Sequence, residues 1–236
     1  MIVDVLDHVA GARAARGLTV VIDVFRAFAT AAYATHGGAA RLLPVAEIDA
    51  ALELRSREPD ALLVGERHGR RLPGFDAGNS PTELRALDLR GRTVIHTTHA
   101  GTQGLLAAAD AEEVVTGSFV NISAVARYIR AVRPQRVSLV RMGHEARERC
   151  TEDDLYAESL QRLLADENAQ IGQVRQTLRG ADAARKFFDP ACTWAPLDDF
   201  AYCTDVDRFG FVLRLVREPG GVARLERVDR PASRHA

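Results

Sequence analysis

Polar side chains stand at the carboxyl ends of five predicted strands in this 236-residue chain. They are Asp23 after the first strand, Glu66 after the third, Thr97, Thr98 and His99 after the fourth, Ser118 after the fifth and His144 after the sixth. Ligands of open α/β sheets collect beyond the carboxyl ends of the strands. These residues therefore predict one site along one edge of a sheet.

Asp23 follows the apolar residues 20–22, where a carboxylate would otherwise lie against the apolar sheet. Burying an ionised carboxylate is costly unless a cation or a hydrogen-bond donor compensates it. A metal ion, or Arg26 three residues further on, would supply that compensation. A simple Asp–Arg pair or a helix cap is the structural alternative. We favour a functional role for Asp23 and Arg26.

The segment 65–81, GERHGRRLPGFDAGNSP, combines charge and glycine in a long irregular stretch. Loops of this length are usually functional or disordered, and the prolines and the phenylalanine of this one argue against disorder. Its charged residues include Glu66, Arg67, Arg70, Arg71 and Asp76. Taken singly, turn capping or a solvated surface explains each of them equally well. Together they favour a site for an anion and a cation.

Two other turns join a predicted strand to a helix and carry hydroxyl groups. The first contains Thr97, Thr98, Gly101 and Thr102, and the second contains Ser118. Free N–H groups of a first helical turn bind anions, so the first turn is a candidate anion site, and for Ser118 a helix cap explains the residue as well as a ligand role does. Glu152 and Asp153 open a later helix, where capping of the helix dipole is sufficient to explain them.

The sequence lacks the motifs of three common enzyme classes, which limits the reactions that we expect. The sequence has no GxxxxGK[ST], GxGxxG or GxSxG pattern, which disfavours a P-loop enzyme, a Rossmann dehydrogenase and an α/β-hydrolase. Carboxylate and hydroxyl oxygens, with no histidine-rich spacing and no thiolate pair, favour a hard cation, Mg²⁺ first. His99 is a candidate for proton transfer at the same edge.

Six predicted repeats, each a strand followed by a helix, position these residues. They predict an α/β fold with three layers, α/β/α, around a mostly parallel or mixed sheet. The predicted strands span residues 18–23, 41–45, 61–64, 93–97, 113–116 and 136–140. Helices are predicted at about 172–188 and 198–204, and residues 211–216 and 222–228 flank EPGG as a β-hairpin on the sheet's edge. We expect a single domain over residues 1–236, with a smaller C-terminal lobe from about residue 170 as the alternative.

Composition limits the partners. Hydrophobic residues make up 47% and charged residues 27%, which excludes a disordered chain and predicts a protein that does not enter a membrane. The net charge of −1 gives no overall field for nucleic acid, so we expect no nucleic-acid partner. Three cysteines without a CxxC pair, and no signal-peptide pattern, predict a cytoplasmic protein. The sequence leaves a homo-oligomer open.

Several segments together resemble the 2-phosphosulfolactate phosphatase family. The most specific is PGFDAGNSP at residues 73–81. The others are VIDVFRA at 21–27, GER at 65–67, Thr97-Thr98 with Gly101-Thr102, Gly117-Ser118 and TEDD at 151–154. They follow the family order over about residues 18–160.

The resemblance implies an α/β/α fold and a Mg²⁺-dependent phosphatase that releases sulfolactate and phosphate in the route to coenzyme M. It implies Asp23, Glu66 and Asp76 as metal ligands and Arg26 and Arg67 as clamps for phosphate or sulfonate. It further implies substrate contacts from Asn79, Thr97, Thr98, Gly101, Thr102 and Ser118, and adds Glu152 and Asp153 as site residues. We expect Asp23, Arg26, Glu66 and His99 to carry catalysis on a small anionic phosphate ester.

The chain departs from the family pattern at three places: His99-Ala100 replaces a usual Asn-Gly, Phe28-Ala29 a Thr-rich stretch, and residues 141–143 a small-residue turn. These changes keep open a phosphatase acting on another small anionic ester, and a non-catalytic binder of an anionic metabolite. The nucleophile is also open between an Asp23 phosphoenzyme and water activated by a carboxylate or His99.

Overall fold

Ten strands and ten α-helices occur in residues 1–218 and 221–229, the part of the chain that this computed structural model describes. The strands are Ile2–Asp7 (β1), Leu18–Ile22 (β2), Arg41–Pro44 (β3), Leu62–Arg67 (β4), Arg70–Arg71 (β5), Thr93–Thr97 (β6), Glu113–Gly117 (β7), Arg136–Arg141 (β8), Val212–Arg217 (β9) and Ala223–Val228 (β10). The helices are His8–Ala14 (α1), Ala27–His36 (α2), Ile48–Arg57 (α3), Pro81–Leu84 (α4), Gly101–Ala107 (α5), Ile122–Val132 (α6), Thr151–Leu164 (α7), Val174–Arg179 (α8), Arg185–Phe188 (α9) and Leu197–Cys203 (α10).

The strands form one mixed sheet in the order β1-β8-β2-β7-β9-β10-β3-β6-β4-β5. Two runs of parallel strands, β1-β8-β2-β7 and β3-β6-β4, lie on either side of the antiparallel pair β9-β10. The α/β prediction with a mostly parallel or mixed sheet is confirmed.

The C-terminal hairpin lies in the middle of the sheet, so its predicted place on the edge is wrong. Strand β9 pairs with β7 through Val115 and Arg214, and β10 pairs with β3 through Leu225 and Leu42. The two parallel runs present unpaired edges to each other, and the hairpin satisfies both edges with its own backbone groups. Pro219 and Gly220 of the predicted turn lie outside the described residues.

Alternation along the strands divides the core between the two faces of the sheet. In β2, Leu18, Val20 and Ile22 pack with helices α6 and α7, whereas Val21 packs with α2 and α5 on the opposite face. In the other run, Leu43 packs toward α3. Helices therefore cover both faces, and the carboxyl ends of the strands stay open for a site.

Three elements differ from the sequence expectations. The N-terminal strand β1, to which the sequence analysis assigned no element, pairs with β8 at the edge of the sheet. The predicted helix 172–188 is divided near Gly180 into α8 and α9, with 3₁₀ turns before each. The stretch after residue 64 begins as a hairpin, because β4 continues to Arg67 and β5 returns beside it.

Helices α8 to α10 pack on the same face of the sheet as α6, through Leu178, Phe187 and Phe200 among others. The organisation into a single domain stays a prediction. Within residues 1–218 and 221–229, each helix is too short or too polar to cross a membrane.

Candidate functional site

A cavity of about 570 Å³ lies beyond the carboxyl ends of β2, β4, β6 and β8. Residues that follow four predicted strands line it together: Asp23, Glu66, His99 and His144. The lining also includes Glu152, Lys186 and Trp194. The carboxyl edge of the sheet thus brings together side chains that are far apart in the sequence.

Asp23 lines the cavity and is largely buried, with 9% of its surface exposed. Its Oδ1 accepts a hydrogen bond from the N–H of Ala27 at 3.1 Å, in the first turn of α2. A Cβ at Gly101 would lie 2.8 Å from Oδ2, so only glycine leaves room for this carboxylate. Burial, with a smaller contribution from the nearby charge of Glu66, raises the pKa of Asp23 to about 7. A cation at this position would stabilise the ionised form.

Glu66 is fixed by the backbone on both sides of the cavity. Its Oε2 accepts from the N–H of Gly69 at 2.7 Å, and its Oε1 accepts from the N–H of His99 at 2.8 Å. Gly69 has a φ of +76°, and a Cβ there would lie 2.4 Å from the ring of Trp194. The turn after β4 is therefore tight against the cavity wall, and Glu66 ties it to the turn after β6.

Glu152 and Asp153 open helix α7 but have different surroundings. Asp153 bridges two strand ends, since its oxygens accept from the N–H groups of Val24 at 3.0 Å and Gly143 at 2.8 Å. Glu152 is 4% exposed and lines the cavity, and its Oε2 has no hydrogen-bond partner among the described residues. Burial raises the pKa of both carboxyls. Asp153 therefore supports the site, whereas Glu152 offers a free oxygen to a ligand.

Lys186, the single lysine of the sequence, brings a positive charge to these carboxylates. Its ammonium lies 5.3 Å from the centre of the Phe187 ring and 5.8 Å from that of Phe25, a cation–π arrangement. Its charge lowers the pKa values of Asp23 and Glu152, against the larger effect of burial. Among the described residues it makes no ion pair within 4.0 Å, which leaves the ammonium available to an anion.

Arg26 lines the cavity but is already held by the protein. Its Nη1 donates to Asp199 at 2.5 Å and to the carbonyl of Trp194 at 3.1 Å, and its Nη2 donates to the carbonyl of Gly69 at 3.2 Å. Only 3% of Arg26 is exposed. The structural alternative considered for Arg26, an Asp–Arg pair, is present, although its partner is Asp199 rather than Asp23.

Asp76 and Arg67, two of the residues proposed as ligands, do not line this cavity. The Oδ2 of Asp76 accepts from the N–H of Leu63 at 2.8 Å and from Arg55 at 3.4 Å. Residue 77 forms a bridge with β4, which places this carboxylate beside the strand rather than beyond its end. Arg67 donates to the carbonyl of Ala46 at 2.8 Å. The structure does not bring Asp76 together with Asp23 and Glu66 at this cavity, and its role as a metal ligand stays a prediction.

The hydroxyl residues serve mainly local structure. Thr97 accepts from Arg67 at 3.0 Å, away from the cavity. Thr98 and Thr102 exchange hydrogen bonds at the start of α5, with each side-chain oxygen accepting from the other residue's N–H. The Oγ of Ser118 is buried without a partner among the described residues and lies outside the cavity lining.

Asn79, by contrast, lines the cavity as expected for a substrate contact. Its Oδ1 lies 3.3 Å from Nε2 of His96, a fully buried histidine. Burial lowers the pKa of His96 to about 4, so the ring stays neutral near pH 7.

A family model and several named proteins match the sequence of this chain. Residues 5–218 match the family model described as 2-phosphosulpholactate phosphatase. The chain belongs to this family. A Bacillus subtilis protein named probable 2-phosphosulfolactate phosphatase is 30% identical over 213 residues, 89% of this chain and 92% of that protein.

Two further proteins named probable 2-phosphosulfolactate phosphatase, from Deinococcus radiodurans and Caldanaerobacter subterraneus, also match this chain. They are 43% identical over 141 residues and 45% identical over 112 residues. These matches cover 59% and 47% of this chain. The chain spans only 58% and 46% of the length of these two relatives.

The fold brings to the site, or directly behind it, two residues to which the sequence assigned no role. Lys186, the single lysine of the sequence, precedes two phenylalanines in a predicted helix and has no spacing that marks a site. Asp199 is completely buried, and its carboxylate accepts hydrogen bonds from Arg26, Ser80 and Thr82. An aspartate next to the exposed Asp198 in a short helix reads as ordinary surface charge, so only the packed structure reveals its partners.

Proposed function

We propose that the chain is a Mg²⁺-dependent phosphatase that hydrolyses 2-phosphosulfolactate to sulfolactate and phosphate, the chemistry of coenzyme M biosynthesis. One observation carries the proposal: three buried carboxylates, Asp23, Glu66 and Glu152, line one cavity together with Lys186. The name shared by the relatives supports the choice of substrate.

The donor set fits a hard divalent cation. Asp23 and Glu152 are both buried, and an ionised carboxylate without a compensating cation is costly to bury. The unpartnered Oε2 of Glu152 adds a free oxygen donor. Asp23 and Glu66 are the residues we propose to hold Mg²⁺, with Glu152 beside them. When bound, the ion supplies polarisation of the phosphoryl group and offsets its negative charge.

The other anionic groups of the substrate require positively charged side chains in the cavity. Phosphate, sulfonate and carboxylate groups together carry about three to four negative charges near pH 7. Lys186 is held between two aromatic rings and makes no ion pair among the described residues, so we assign it to an anionic group of the ester. Arg26 acts indirectly, because its pair with Asp199 fixes the turn at Gly69.

Hydrolysis requires a water molecule, a base and a route for the leaving group. Water attacks phosphorus and loses a proton, while the bond between phosphorus and the ester oxygen breaks and its electron pair stays on that oxygen. The leaving alkoxide then takes up a proton to give sulfolactate. We assign proton removal from water to Glu152, which lines the cavity and whose Oε2 has no hydrogen-bond partner among the described residues. A phosphoenzyme on Asp23 is the competing route.

Phosphate release from 2-phosphosulfolactate tests this function. We expect release with Mg²⁺, none after EDTA, and recovery when Mg²⁺ is added back. The Asp23→Asn variant should resemble the EDTA-treated enzyme, whereas the exposed Asp88→Asn control should match wild type. A panel of other phosphorylated hydroxy acids identifies the preferred ester by kcat/KM. Release that survives EDTA, or no release from any ester, would contradict the proposal.

A further inference from the structure

Three metal-ligating side chains meet at the mouth of the cavity, apart from the buried carboxylates. His68 lies in the turn between β4 and β5, His99 follows β6, and Glu145 follows β8. One ligand atom from each residue lies within 4.8 Å of the others. All three residues line the cavity.

The contacts within this group leave a donor atom without a partner. Nδ1 of His68 lies 2.5 Å from Oε1 of Glu145, and the two imidazole rings meet edge to face with centres 4.8 Å apart. Nδ1 of His99 is buried and has no hydrogen-bond partner among the described residues. An unpaired buried nitrogen is costly unless a proton donor or a metal completes it.

The backbone fixes where these side chains begin. Glu66 accepts from the N–H groups of Gly69 and His99, so one carboxylate holds the turns that carry both histidines. Glu145 lies just after Gly143, whose N–H donates to Asp153. The group is therefore assembled by three strand ends and not by a single mobile loop.

We propose that His68, His99 and Glu145 bind one borderline divalent cation of the Zn²⁺ type at the cavity mouth. Two imidazoles and one carboxylate suit Zn²⁺, whereas the all-oxygen set deeper in the cavity suits Mg²⁺. Ligand distances of about 2.0–2.2 Å put the donor atoms of a tetrahedral site about 3.4 Å apart. The side chain of His68 is 67% exposed, which allows the shift of up to about 1.4 Å that closure from 4.8 Å requires.

Three protein ligands leave a fourth position on the cation for water or an anionic group. Because all three residues line the cavity, that position is reached from the space where the ester binds. This last point rests on the proposed function, and the metal site itself does not.

Calorimetric titration with ZnCl₂ alone, in buffer with excess Mg²⁺ and no ester, tests the site. We expect one Zn²⁺ per wild-type chain. Each of His68→Ala, His99→Asn and Glu145→Gln should lower the affinity at least about tenfold, since even loss of a residue behind the ligands costs about 10–100-fold. His36→Ala, an exposed histidine on α2, is the matched control and should bind as wild type. Thermal unfolding of each variant checks its fold.

Co²⁺ gives a second readout, because a tetrahedral site with nitrogen ligands absorbs visible light far more strongly than an octahedral oxygen site. That band should appear in wild type and in Asp23→Asn, and disappear in His99→Asn. Zn²⁺ affinity lost only in Asp23→Asn would place the ion among the carboxylates and overturn the proposal. Affinity that depends on His99 alone, or no Zn²⁺ binding, would also overturn it. No ester is present, so these results are independent of phosphatase activity.

Discussion

Asp199 and Glu152 are both buried carboxylates, yet their surroundings are opposite. Asp199, behind the cavity wall, accepts from Ser80, from both donors of Thr82 and from Arg26. Glu152, in the wall itself, has an oxygen without a partner. A satisfied buried charge serves the fold, whereas an unsatisfied one is a stability cost that a ligand can remove. The difference distinguishes a supporting region, which includes Asp199, Arg26 and His96, from a reacting region, which includes Glu152, Asp23 and Glu66.

Glu152→Gln should break the reacting region with the largest effect. Removing the proposed base is expected to lower kcat about 10²–10⁴-fold. The free energy of unfolding should stay equal or rise, because a buried carboxyl whose pKa is raised by burial is replaced by a neutral amide. Steady-state phosphate release and urea unfolding measure the two quantities. Lost activity together with a destabilised fold would assign Glu152 to the supporting region.

Asp199→Ala should break the supporting region. The substitution leaves the guanidinium of Arg26, itself 3% exposed, without its charge partner, and removing one member of a buried pair costs about 3–5 kcal/mol. Urea unfolding measures this loss. The neighbouring Asp198→Ala, on the exposed side of α10, is the control and should change stability by less than about 0.5 kcal/mol. Equal stability of the two variants would contradict the distinction.

His96 tests the supporting region through pH. Burial lowers its pKa from 6.5 to about 4, so the folded chain holds the ring neutral while the unfolded chain protonates below about pH 6.5. This contribution is complete above about pH 6.5 and is lost as pH falls toward about 4. Between about pH 7 and about pH 5, wild type should lose about 2 kcal/mol more than His96→Gln.

The control for this pH experiment is His36→Gln, which changes an exposed histidine and should follow wild type. Urea unfolding at the two pH values gives the comparison. The same pH dependence in wild type and His96→Gln would show that the ring is not held neutral.

Asp76→Ala should have the smallest effect. It removes a partly exposed acceptor for the N–H of Leu63, a loss of about 0.5–1.5 kcal/mol. Phosphate release should stay within about twofold of wild type, since the carboxylate lies outside the cavity lining. Asp76→Asn, which keeps an acceptor, serves as control. A large fall in kcat restored by added Mg²⁺ would return Asp76 to the metal ligands.

The sequence was sufficient for the parts of the site that depend on local pattern. Asp23 ends a predicted strand, and Glu66 and His99 each follow a predicted strand by two residues, and the carboxyl edge of a parallel run brings such positions together. The place of Asp76 outside the cavity lining could not be predicted, because an irregular segment has no periodicity to show which side of a strand it returns to. The central position of β9 and β10 depends on pairing with strands about a hundred residues or more away along the chain. Lys186 reaches the cavity because of the way helix α9 packs, and the local sequence pattern does not predict that packing.

Asp23 and Glu66, with Glu152 beside them, are the proposed cation site, and the Mg²⁺ dependence of thermal unfolding of the full chain is the sharpest test of that site. A ligand that binds only the folded state raises Tm by mass action. We predict that Mg²⁺ raises the Tm of wild type and of Asp88→Asn, and leaves the Tm of Asp23→Asn and Glu66→Gln nearly unchanged. An equal rise in all four proteins would show that the ion does not bind at these carboxylates.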